Sequence, residues 1–343
     1  MLLTMSKNGN SRNKEIDILK TLAVFMVVWG HVLYNVAGIT SGYISYVHMP
    51  VFYFASGLFI GKELSKYNLG EFAWKKTLRL FIPYVIWSAI SFAANALLII
   101  ATFKTIPKSQ LINEAYNIFI NSRSVWFLIQ LFIAELLFAL IYMLGRYNVY
   151  LLIALNTVIW ALLVMFCRTE YFMMWKIKWL YPFLVIGYLF GNGNIPKFKL
   201  GKFIPSAICA GLWGYMTYLY AGLYTKDGLF YGFDLGYLDK NILVKELFLV
   251  ILGFLGIMAI YLLARILGHT PLAKPLADIG NYTLDIYLIH MMLIFVMKKL
   301  PYKQEGFAFI SAGYTLGICL TIYIVAKYLL RKIKLYRISI GTK

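Results

Sequence analysis

The sequence predicts an all-α fold, a polytopic transmembrane helical bundle of about ten spans with both termini cytoplasmic. Three observations predict it. The residues AVILMFWYC make up 61% of the 343 and charged residues only 14%, whereas soluble domains run at about 45–50% and 25%. The apolar residues fall in blocks of about 18–25, the length that crosses roughly 30 Å of hydrocarbon. The short clusters between the blocks are basic, and more so at alternate ones.

Windows of about 19 residues place the spans near 18–37, 48–61, 79–100, 125–143, 149–166, 179–190, 203–222, 243–265, 281–297 and 307–329. The second and sixth are short and carry Pro50 and Pro182 near their starts, which fits tilted or kinked helices supported by neighbours. With both ends inside, the inner segments hold 20 Lys and Arg against 12 outside, and Lys20 within the first span completes the 33. That excess has the sign of the positive-inside rule. It supports an even number of spans more firmly than ten in particular.

The expected organisation is a cytoplasmic segment 1–17, one membrane domain 18–330 and a basic cytoplasmic tail 331–343. Three cysteines, Cys167, Cys209 and Cys319, cannot staple a large scaffold and lack metal-ligand spacing. The net charge of +19 sits in clusters beside apolar segments, which suits anionic lipid headgroups rather than nucleic acid.

Ionisable residues inside spans are the informative ones, since each is costly unless paired, solvated or facing a cavity. Lys20 and His31 lie eleven residues apart, which on a helix brings them within about 20° of one face and separates them by roughly 16 Å. An imidazole there can take a proton from a hydroxyl, and a cation nearer the cytoplasm can attract phosphates. The plainer reading is a snorkelling lysine and a hydrogen-bonded core histidine. His48 stands at the outer entrance of the second span, as an interface anchor or a pocket residue. Gly57 and Gly61 form a small-xxx-small pair suited to close helix contact.

The loop from Lys62 to Arg79 carries Lys75, Lys76 and Arg79, either for inner-side retention or for donor phosphates, with Arg79 favoured for its bidentate fork. Glu135 lies mid-span five residues after Gln130. A lone buried carboxylate implies a partner, either His31 or an interior Lys or Arg. Asp285 and His290 are also five apart, poor spacing for mutual pairing, so each is expected to point at another helix.

Asp17-Ile-Leu-Lys20-Thr-Leu-Ala with Gly30-His31, His48-Met-Pro50 with Ser56-Gly57, Lys75-Lys76 with Arg79 and Pro83-Tyr84, Trp126-Phe-Leu, and Leu284 with Tyr287-Leu-Ile-His290 together resemble membrane-bound acyltransferase family 3. Within that family the chain resembles the branch of fucose 4-O-acetylases and polysaccharide O-acetyltransferases. The likeness runs through nearly the whole chain. It departs at Lys20, where the family usually has Arg, keeping the charge but losing the fork.

The resemblance implies a membrane O-acyltransferase of a bacterial inner or plasma membrane that moves an acetyl group from cytoplasmic acetyl-CoA to a hydroxyl of an extracytoplasmic or lipid-linked glycan. His31 is then the expected general base, with Glu135 orienting or charge-balancing the site. Lys20, Lys75, Lys76 and Arg79 are the expected donor contacts, and His48, Trp126 and His290 the expected substrate contacts. Acetyl-CoA is a cosubstrate, with no permanently bound cofactor or metal. The expected partners are the glycan or lipid-linked saccharide acceptor and membrane lipids, with a homodimer left open and nucleic acid excluded. The main alternative is a transporter of a glycan-related or acidic metabolite, since intramembrane His, Lys and Glu also mark translocation paths. A structural partner in an envelope complex is a third reading.

Overall fold

A computed structural model describes residues 13–33, 46–103, 107–191, 203–221, 241–297 and 307–342, and these are helical with short connections. The helices are α1 (Lys14–Val32), α2 (His48–Lys66), α3 (Leu69–Lys76), α4 (Ile82–Phe103), α5 (Lys108–Phe119), α6 (Trp126–Gly145) and α7 (Val149–Phe166). They continue as α8 (Ile177–Gly191), α9 (Phe203–Ala221), α10 (Ile242–Gly268), α11 (Ala273–Ile279), α12 (Thr283–Met297), α13 (Phe307–Tyr328) and α14 (Lys334–Ser339). Each apolar window of the sequence overlaps one of them, while positions 34–37 of the first window and 222 of the seventh lie outside the described residues. Five helical runs among the described residues are long and apolar enough to cross a membrane: Leu69–Ala101, Trp126–Gly145, Val149–Phe166, Ile242–Gly268 and Ile310–Lys332.

Asparagine starts many of these helices. The side chains of Asn13, Asn148 and Asn241 each accept from two backbone N–H groups of the first turn, satisfying donors that have no partner within the helix. Asn68 does the same within a capping box closed by Glu71. That cap corrects one expectation: the basic stretch 62–79 is not a loop, because α2 continues to Lys66 and α3 restarts at Leu69. Between Lys76 and Ile82 the helix widens into a π turn, Thr77–Phe81, in which the Ile82 N–H reaches the Thr77 carbonyl. Pro83 follows at once. It has no N–H to offer the preceding turn and its ring crowds the carbonyl four residues back, and the wider turn relieves that conflict.

The chain divides into two compact units, 1–58 with 186–329 and 59–185 with 330–343. In the first, α1 is the central helix and packs against α10, α11, α12 and α13. Val24 and Val28 are buried with Ile286, Ile294, Ile318, Cys319 and Ile322. The Trp29 indole donates to Ser311 Oγ at 2.9 Å, and Thr21 Oγ1 donates to the Leu276 carbonyl at 2.6 Å. A Cβ on Gly187 would lie 2.2 Å from the Phe54 carbonyl oxygen, and one on Gly191 would lie 2.3 Å from that of Leu58. The pair Gly187 and Gly191 therefore lets α8 meet α2 backbone to backbone, with Gly57 on the opposing surface.

In the second unit α6 packs against α4, α7, the π turn and the 3₁₀ turn Tyr171–Lys176. The chain's last helix, α14, joins this unit through Trp87, whose indole donates to the Ser339 carbonyl at 3.1 Å and meets Tyr336 edge to face. Gly341, with φ of +67°, packs on Leu78 and Arg79 of the π turn so closely that a Cβ would stand 2.7 Å from their backbones. Ser122, Phe172 and Met173 also adopt left-handed backbone, at φ of 54°, 53° and 55°, a conformation that is strained in non-glycine residues.

Candidate functional site

The first unit holds the histidine cluster. α1 runs unbroken from Lys20 to His31 and packs against α12, which brings the half-buried His31 ring to 5.2 Å from that of His290, tilted by 43°. His290 is only 1% exposed. Its Nδ1 lies 2.6 Å from the Tyr287 carbonyl and 3.1 Å from that of Ile286. A carbonyl only accepts, so Nδ1 carries the proton and Nε2 presents a lone pair. Nε2 is buried and has no hydrogen-bond partner among the described residues. Lys20, one face of α1 away from bulk water, is buried and ion-paired to Asp17 at 2.7 Å. His48 is half-buried at the first position of α2.

The second unit holds a cation–carboxylate cluster. Lys76 is 2% exposed and Glu135 fully shielded, and their charged atoms stand 3.0 Å apart. Glu63 lies 2.6 Å from the Lys76 ammonium on one oxygen, while its other oxygen meets Arg79 at 3.4 Å. Two cations thus share two carboxylates where a single unpaired charge would be costly. The Arg79 side chain is 28% exposed, and a single long contact to Glu63 leaves most of its fork for other anions. Lys75 points elsewhere, with its ammonium 3.1 Å from the centre of the Tyr67 ring.

Trp126 opens α6, and the Lys176 ammonium lies 3.9 Å from the centre of its indole ring. Burial pushes the Lys176 amine down to about 8. One turn into α6, the fully buried Gln130 donates through its amide to the carbonyls of Phe172 and Met173, bracing two of the strained residues.

Of the residues singled out from the sequence, His31 therefore meets His290, and Glu135 meets Lys76, the interior-cation alternative for that carboxylate. Lys76 and Arg79 are joined through Glu63. Asp17 enters the sequence reading only within the motif of the family resemblance, with no role of its own, and Glu63 and Lys176 have none. Asp17 stands three residues before Lys20 and could have been found from that spacing. Glu63 meets residues 13 and 16 positions on, across the helix break after Lys66, and Lys176 meets Trp126, 50 positions back, so helix spacing marks neither pairing.

Apolar helices of membrane-crossing length, with charged and imidazole groups buried among the described helices, are those of a polytopic membrane protein. A family model described as an acyltransferase domain matches residues 13–326. The chain belongs to that family, the membrane-bound acyltransferases of family 3, and its activity is that of a transferase. No curated protein and no solved structure matches it significantly.

Proposed function

We propose that this protein is a membrane O-acetyltransferase that takes the acetyl group of cytoplasmic acetyl-CoA and delivers it to a hydroxyl of an extracytoplasmic or lipid-linked glycan, in the manner of the fucose 4-O-acetylase and polysaccharide O-acetyltransferase branch. The observation that carries the reading is the His31–His290 pair inside the apolar helices of a chain from an acyltransferase family. The proposal includes about ten spans, cytoplasmic termini and a bacterial inner or plasma membrane, in keeping with the coincidence of apolar windows with helices and the excess of basic residues in alternate connections.

His31 is the general base. Its imidazole removes the proton of the acceptor hydroxyl as that oxygen attacks the thioester carbonyl; the C–S bond breaks, and the CoA thiolate leaves and takes a proton. Of the four candidate donor contacts Lys20, Lys75, Lys76 and Arg79, Arg79 keeps most of its donors open for the phosphates of the donor. Lys75 is a secondary contact, and Lys20 and Lys76 are each already held by carboxylate within their own unit. Glu135 balances Lys76. His48 and Trp126 are acceptor contacts, with Trp126 offering an aromatic corner next to the Lys176 amine.

The test is release of free CoA from acetyl-CoA by detergent-purified protein, with and without a crude envelope-glycan fraction. Acceptor-dependent release that falls at least 100-fold in His31→Ala is the expected result, within the range for loss of a general base. Folded protein that neither releases CoA nor binds it overturns the reading in favour of transport.

A further inference from the structure

His290 has a feature that substrate binding does not require. Its ring is fixed by two carbonyls of its own helix, its protonation is fixed with it, and the remaining nitrogen faces away from water with a lone pair that no described group satisfies. An acceptor left open in an apolar interior loses the stabilisation a donor would give it. Such a group in a folded protein calls for an explanation. The adjacent ring is His31, 5.2 Å between centroids. An N–H···N bond of about 2.9 Å between two imidazole edges sets their centroids about 5 Å apart. The two rings are thus already at bonding separation, and rotation of the His31 imidazole about its Cβ–Cγ bond exchanges carbon and nitrogen along its edge while the ring stays in place.

We propose that His290 is the positioning residue for His31: its Nε2 accepts the N–H of one His31 nitrogen, which leaves the other His31 nitrogen unprotonated and aimed as the base. The inference rests on the reading of His31 as the base. A neutral imidazole has two tautomers, and only one of them puts the lone pair toward the acceptor hydroxyl. In many sites a carboxylate makes that choice by accepting from the base. Here the ring 5.2 Å away is another imidazole, locked as a pure acceptor by the Tyr287 and Ile286 carbonyls. A neutral acceptor holds the base in its tautomer without adding a charge to the apolar interior, where a carboxylate would need a cation of its own.

The chain has only four histidines, so nitrogen resonances of uniformly ¹⁵N-histidine-labelled protein can be assigned by single substitutions. The full-length protein in detergent or nanodiscs is expected to show His290 protonated on Nδ1, with an Nε2 resonance that moves when His31 is replaced by Phe. Protonation on Nε2, or a resonance indifferent to His31→Phe, overturns the proposal whether or not the protein proves to be an acetyltransferase. In the CoA-release assay His290→Leu is expected to lower kcat at least 10-fold with the KM for acetyl-CoA unchanged. His290→Gln, whose amide oxygen can accept at similar reach, is expected to recover part of that loss. A higher KM with kcat intact would make His290 a binding residue instead and overturn the assignment.

Discussion

Lys76 and Glu135 stand 3.0 Å apart in a place where the ammonium is 2% exposed and the carboxylate fully shielded. Each is the condition for the other's burial, and Glu63 completes the neutralisation from the edge. Removing Lys76 takes the ammonium from a fully shielded carboxylate, a loss of about 3–5 kcal/mol, whereas removing Glu135 leaves Lys76 still held by Glu63 at 2.6 Å. Lys76→Met is therefore expected to lower the thermal midpoint of the purified protein sharply, and Glu135→Leu to lower it by less. The double variant is expected to recover most of the loss, since Glu63 retains Arg79. A double-mutant cycle on thermal unfolding in detergent measures this, and additive losses would contradict it.

A second prediction concerns the α2–α8 contact. Gly187→Ala and Gly191→Ala drive a methyl group into the Phe54 and Leu58 carbonyl oxygens and are expected to destabilise by about 1–3 kcal/mol each. Gly313→Ala is the control, since nothing lies within 4 Å of its Cβ position. Equal effects at all three positions would mean that close backbone approach is not what the first two glycines provide.

How much of this was readable beforehand depends on the range of the interaction. Helix positions follow from hydrophobic runs and asparagine caps, which are local, and the windows near 149–166 and 203–222 match α7 and α9 almost to the residue. The helix Leu69–Lys76 is hidden in the sequence because a basic stretch between apolar runs reads as a loop unless the Asn68–Glu71 box is given weight. Gly57 reads from the sequence as a contact residue. Its actual partner, Gly187, is 130 residues away, and no pattern in either helix names the other. The same holds for the site: the Lys20–His31 spacing is local and visible, whereas the pairings Lys76–Glu135 and His31–His290 exist only once distant helices pack.

Lys176 yields a pH prediction. Burial holds its folded-state pKa at about 8, against an ordinary value of 10.5. Below pH 8 the amine is charged in both folded and unfolded chains. Between about 8 and 10.5 the unfolded chain binds the extra proton, so stability rises with pH across that window. The expected gain is on the order of 1–3 kcal/mol. It should disappear in Lys176→Met, which is also expected to be the more stable protein at pH 7. A wild-type midpoint that falls between pH 8 and 10 in step with the variant's would refute the assignment.

The strained 3₁₀ turn offers two substitutions of opposite sign. Gln130→Leu removes the amide that donates to Phe172 and Met173 and is expected to cost about 1–2 kcal/mol, the loss from leaving two half-buried carbonyls without that donor. Met173→Gly relieves a left-handed backbone at φ of 55° and is expected to gain about 1 kcal/mol. Thermal unfolding of the two variants side by side decides the matter, and a loss in Met173→Gly would show that its side chain outweighs its strain.

The π turn between Lys76 and Ile82 works as a gear tooth in a long rod. A π turn holds one residue more than an α turn of the same kind, so the angular phase of every side chain from Ile82 onward is offset by about 100° from a continuous helical wheel. The cationic end of the rod and its apolar end can therefore be aimed independently. A wheel drawn across Leu69–Ala101 as a single helix misassigns one end, whichever end it starts from. Deleting one residue from Thr77–Phe81 would leave the composition of the rod almost unchanged while turning Trp87 away from Ser339.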